Sequence, residues 1–77
     1  MTNNYYGIYN MVGKNIKKIR LKNRLTQEEF CEQIGVSISY LAKIEAPNCE
    51  KKFSLELLFI VSHTFNVDIK ELFTFDN

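Results

Sequence analysis

A chain of 77 residues and 9.1 kDa has room for one small core and no second domain. Its longest apolar run, Leu57 to Val61, is far too short to span a bilayer, and the N-terminus lacks the basic-then-apolar order of a signal peptide, so a cytoplasmic location is the default expectation. The net charge of +1 argues weakly against a nucleic-acid partner, but the charge is unevenly placed: six cations crowd Lys14 to Arg24 with no acid among them, while all nine acids lie from Glu28 onward.

Met1 to Asn10 carry Asn, Tyr and one Gly without a helical repeat and read as a flexible tail, leaving a domain over 11–75. Met11 is a plausible alternative start. Tyr5, Tyr6 and Tyr9 have the option of docking on the core or on a partner. Apolar spacing then predicts a first helix from about Val12 to Asn23, burying Val12, Ile16 and Ile19. Lys14, Lys17, Lys18, Arg20, Lys22 and Arg24 on this helix and its exit suit phosphate contacts or, equally, a solvated face.

The next stretch, QEEFCEQIGVSISYLAKIE over 27–45, is the most informative. Phe30, Cys31, Ile34, Val36, Leu41 and Ile44 fall where two crossed helices must touch, and Gly35 falls at the turn, where positive φ is free of steric cost only for glycine. Thr26 and Glu29 form a T-x-x-E capping box for the first of the two helices. Ser37 caps the second, and Pro47 ends it by disfavouring helical geometry at Ala46. An ordinary helical hairpin would share any one of these signals. Caps, turn, stop and spacing together predict a helix-turn-helix over 27–46, a device for reading DNA.

On the second of these helices Leu41 and Ile44 point inward, leaving Ser37, Ile38, Ser39, Ala42 and Lys43 to face outward. In a major groove, Ser37 and Ser39 near the helix start approach base edges, Ile38 meets a thymine methyl, and Lys43 reaches a guanine or a phosphate. No Arg, Asn or Gln stands on this face for a strong bidentate contact, so part of the specificity is expected from DNA shape. Tyr40 reads equally as a half-buried packing residue or as a hydroxyl donor to phosphate.

In the last third, Ser54 caps a fourth helix with Leu55, Leu58, Val61, Ser62 and Phe65 as core positions, and Asn66 provides a left-handed stop. Leu57, Phe59 and Ile60 widen its apolar surface, and Ile69, Leu72, Phe73 and Phe75 carry the excess into the C-terminus; part of it belongs inside the monomer, and what stays exposed marks a partner surface. Cys31 reads as a core residue and Cys49 as incidental, without disulfide or metal role. His63 reads as a surface residue, since no second His and no suitable Cys spacing accompanies it.

From Val12 to Phe73 the chain resembles the phage Cro and lambda-repressor type of helix-turn-helix domain, also named after the xenobiotic-response-element repressors. The resemblance rests on IKKIRLKNRLTQEEF, GVSISYLAKIE and SLELLFIVSHTFNVDIKELF. It implies an all-α fold, a compact bundle of four to five helices. It also implies that Arg20 pairs with Glu45 at the end of the recognition helix, and that Gln27 bonds a phosphate while buttressing that helix, assisted by amides at the helix start. Asn48, Lys51 and Lys52 lie where the family touches DNA backbone, although the loop APNCEKKF is longer than the usual glycine-containing link. Family members commonly bind as two-fold dimers, here through Ile69, Leu72, Phe73 and Phe75, reading an inverted repeat with half-sites about 34 Å apart.

Double-stranded DNA is therefore the expected partner, with a homodimer, a possible regulatory protein, no membrane and no cofactor. The expected function is a transcriptional regulator, most often a repressor in this family. The other reading is a protein-interaction module, an antitoxin or adaptor with DNA binding secondary or lost, which the serine-rich reading face and apolar C-terminal end favour. No nucleophile–base pair, phosphate loop or metal cluster supports an enzyme.

Overall fold

The computed structural model describes residues 5–47 and 52–74, apart from the side chains of the first two. Four α-helices, α1 (Tyr5–Lys22), α2 (Gln27–Ile34), α3 (Ile38–Glu45) and α4 (Leu55–Phe65), are followed by a 3-10 helix at Ile69–Phe73. No strand occurs among the described residues.

The helix boundaries follow local chemistry. At α2 the Glu29 amide donates to Thr26 Oγ1 at 3.0 Å and the Thr26 amide donates to Glu29 Oε1 at 2.8 Å, closing the capping box. Ser37 Oγ accepts from the Tyr40 amide and Ser54 Oγ from the Leu57 amide, each such cap contributing about 1 kcal/mol. Gly35 ends α2 at φ 78° and Asn66 ends α4 at φ 55°, both left-handed. Ala46, before Pro47, is extended, so α3 stops at Glu45.

Two elements depart from the sequence expectation. The first helix begins at Tyr5 and not at Val12, so residues 5–10 are helical. The Tyr9 ring meets Phe53 edge-on at 5.0 Å, a contact from the far end of the α3–α4 connection that local periodicity does not contain. In α4 the core side is rotated from the expected one: Leu57 is buried with Leu58 and Val61, whereas Leu55 is 60% exposed. A helix apolar on nearly all sides gives periodicity no phase to report.

The core joins Val12, Ile16 and Ile19 of α1 to Phe30 and Ile34 of α2, Leu41 and Ile44 of α3, the buried side of α4, and Leu72. Phe65 stacks on Phe30 with ring centroids 4.9 Å apart. Leu72 has no solvent exposure within a single chain. The expectation that it lies on a dimer surface is therefore corrected, since the 3-10 helix turns it under α1 and α4. Ile69 is half-buried against the same core, Phe73 is exposed, and Phe75 lies outside the described residues.

Candidate nucleic-acid interface

The outward side of α3 is set by what its inward side must bury. Leu41 and Ile44 are fully packed, which fixes the rotation of the helix and leaves Ser37, Ile38, Ser39, Ala42 and Lys43 exposed. Ile38 shows nearly half its surface to solvent, an arrangement that costs free energy unless another surface covers it. Ser37 spends one acceptor site on its own helix cap and keeps its hydroxyl proton for a partner. Tyr40 is half-buried and packs against the core.

A three-helix ionic lock holds this face in place. Arg20 of α1 donates from Nε to Glu45 Oε2 at 2.8 Å and from Nη2 to Glu45 Oε1 at 2.9 Å, a bidentate pair with both residues buried. Its Nη1 donates to the Leu25 carbonyl at 2.8 Å. Gln27, the first residue of α2, donates from Nε2 to Glu45 Oε1 at 3.1 Å. Hydrogen bonding to Glu45, opposed by burial, holds the Arg20 guanidinium above its ordinary range. One carboxylate at the end of α3 thus receives donors from both α1 and α2. Among the described residues, no buried side-chain nitrogen or oxygen lacks a hydrogen-bond partner.

The same lock removes Arg20 from the cations available to a phosphate backbone. Lys14, Lys17, Lys18, Lys22, Arg24, Lys43 and Lys52 remain exposed. Gln27 is half-buried with its amide nitrogen turned inward to Glu45, the buttressing arrangement. Asn48, Cys49 and Lys51 lie outside the described residues. Cys31 of α2 reaches toward the α2–α3 turn with Sγ 3.5 Å from the Ser37 carbonyl, and burial pushes its thiol up from its ordinary value. No group of three or more metal-ligating side chains occurs among the described residues.

Two positioning residues were missed in the sequence. Gly13 carries α1 so close to α3 that a Cβ there would overlap the Ile44 carbonyl oxygen. Asn15 is buried and donates from Nδ2 to the carbonyls of Leu72 at 2.9 Å and Thr74 at 2.8 Å, fastening the C-terminal end to α1. Both had a signal. A lone glycine inside a helical pattern is costly against alanine and so points to a packing reason, and an Asn three residues after Val12 stands on the apolar stripe.

A helix-turn-helix family model matches residues 16–72, the span that holds the lock and both helices of the motif. The chain belongs to the Cro and lambda-repressor-like helix-turn-helix family. Antitoxin PezA of Streptococcus pneumoniae is 39% identical over 62 residues, 80% of this chain and 38% of that protein. A propionyl-CoA carboxylase regulator of Cereibacter sphaeroides is 32% identical over 62 residues, 80% of this chain and 13% of the regulator. An uncharacterized HTH-type transcriptional regulator of Archaeoglobus fulgidus is 33% identical over 61 residues, covering 79% of this chain and 83% of that protein. The chain therefore spans well under half the length of the first two relatives and most of the third. The helix-turn-helix domains of this family are DNA-binding modules of transcription regulators. No helix among the described residues is long and apolar enough to cross a membrane.

Proposed function

We propose that this protein is a sequence-specific regulator of transcription that binds double-stranded DNA through α3 in the major groove, acting as a repressor by occupying promoter DNA. The observation that carries the reading is the exposed row Ser37, Ile38, Ser39 and Lys43 on a helix whose angle is fixed by Arg20, Gln27 and Glu45. A short helix start with small side chains enters a groove, and a rigid mount keeps its register from one site to the next. Gln27 at the start of α2, Tyr40, and Lys52 with Asn48 and Lys51 supply phosphate contacts that position without specifying. The regulator works in the cytoplasm as a homodimer on an inverted repeat, without a cofactor and without chemistry of its own.

A second reading has its own support, because one of the relatives is an antitoxin. In that reading the chain's principal partner is another protein and DNA binding is secondary. The propionyl-CoA carboxylase regulator and the archaeal transcriptional regulator favour the first.

The test is selection of bound duplexes from a random-sequence library at near-physiological salt, followed by sequencing. Enrichment of an inverted repeat with half-sites one helical turn apart is the expected result. Folded protein that enriches nothing would move the assignment to the protein-partner reading.

A further inference from the structure

The outward side of α4 is apolar where a solvated helix would be polar. Leu55, Phe59 and Ile60 are exposed there, and the shallow groove they form is completed by Glu56, His63 and Thr64. A second groove shares Leu55 and continues past Phe53 to Ile8 and Phe73. Ile8, Leu55, Phe59, Ile60 and Phe73 are each 36 to 60% exposed, together on the order of 400 Å² of apolar surface, comparable to the largest patch on a soluble monomer, which is often functional. None of these residues belongs to α2 or α3.

The polar groups on this face suit one particular occupant. Glu56 and His63 are the ionisable groups of α4, and they stand seven residues apart on its outer side, about 10 Å along the axis. The midpoint between them falls between Phe59 and Ile60. A two-fold axis through that point lays α4 antiparallel on its own copy, with Phe59 and Ile60 at the centre and each Glu56 opposite the partner's His63. A face that complements itself under a two-fold rotation is the requirement of an isologous dimer.

We propose that a second copy of this chain docks here, α4 against α4, and that this face rather than the C-terminal end alone is the homodimer interface. The proposal rests on the dimeric reading given above and names its surface. The patch is about half of the roughly 800 Å² per partner of a standard interface, so the free dimer is weak and concentration-dependent, and binding to paired half-sites reinforces it.

The test is sedimentation equilibrium of the full chain from micromolar to millimolar concentration, with circular dichroism to verify folding. Phe59 is exposed, so Phe59→Glu is expected to keep the helical signal and to raise the dimer dissociation constant at least a hundredfold. His63→Glu, which sets like charges opposite each other, is expected to weaken association about tenfold, and adding Glu56→Lys to recover it. A wild-type dimer that Phe59→Glu leaves intact overturns the α4 face while the dimeric reading stands. Failure of Glu56→Lys to rescue His63→Glu overturns the antiparallel seating. A wild-type chain that is monomeric at every concentration, with and without duplex, removes the dimeric reading and this proposal with it.

Discussion

Gly13 of α1 lies directly under the backbone carbonyl of Ile44 in α3, with no room between them for a methyl group. The helix that mounts the reading face is thus seated on the first helix backbone to backbone, about two turns of α1 before the Arg20–Glu45 pair locks the same two helices.

Gly13→Ala weighs helix propensity against overlap. Alanine favours the helical state over glycine by about 1 kcal/mol. The group it meets is a main-chain oxygen that cannot turn aside, so the two helices must part, and overpacking of this kind costs about 1–3 kcal/mol. The expected outcome in urea unfolding is a net loss of stability. A parallel loss of duplex affinity is expected, since α3 shifts with the change. A variant as stable as the parent would show that parting the helices costs no more than the roughly 1 kcal/mol that alanine gains in helix propensity.

The ion pair gives a sharper expectation. Arg20→Ala strands a buried carboxylate and Glu45→Ala a buried guanidinium, each costing about 3–5 kcal/mol. The double substitution should cost far less than the sum, because it leaves neither charge alone. A double-mutant cycle in denaturant measures the coupling directly. Additive losses would mean that the two charges are solvated independently and that the lock does not hold α3.

How much of this was legible depends on how local the cause was. The caps at Thr26, Ser37 and Ser54, the left-handed stops at Gly35 and Asn66, and the break before Pro47 are each decided within a few residues of sequence, and each was readable there. The start of α1 at Tyr5 was not, because the contact of Tyr9 with Phe53 joins residues far apart in the sequence. The rotation of α4 was hidden by a sequence apolar on nearly every side. Leu72 was mistaken for surface because its burial depends on Asn15 drawing the Leu72 and Thr74 carbonyls onto α1. On the reading face, Leu41 and Ile44 fixed the phase of α3, so its exposed residues followed.

Cys31 links folding to alkaline pH. Burial raises its folded-state pKa above the ordinary value of 9.0, with Glu45 adding to the shift and Arg20 opposing it. The folded chain therefore holds the thiol proton to higher pH than the unfolded chain does. This contribution is fully present below the unfolded pKa and is lost as pH rises through the folded one. In a Cys49→Ser background, urea midpoints from pH 8 upward should fall more steeply with Cys31 present than in Cys31→Ala. Equal slopes would mean that the thiol ionises as readily in the folded chain as in the unfolded one.

Exposure separates reading from folding on α3 and at the start of the α4 segment. Ser39 and Lys43 are both exposed, so changing them together to Ala should move stability by no more than about 0.5 kcal/mol while erasing the preference among duplexes. Lys52 is exposed as well, and its expected contact is with a phosphate. Lys52→Ala should weaken binding to every duplex alike and flatten the plot of log affinity against log salt by about 0.9. The two results have different forms: one removes discrimination at nearly constant stability, the other removes affinity at constant discrimination. If Lys52→Ala changed the preferred sequence instead, this lysine would be reading bases. If it left the salt slope untouched, the α3–α4 connection would lie away from the DNA, and the positioning contacts would fall to Gln27 and the exposed lysines of α1.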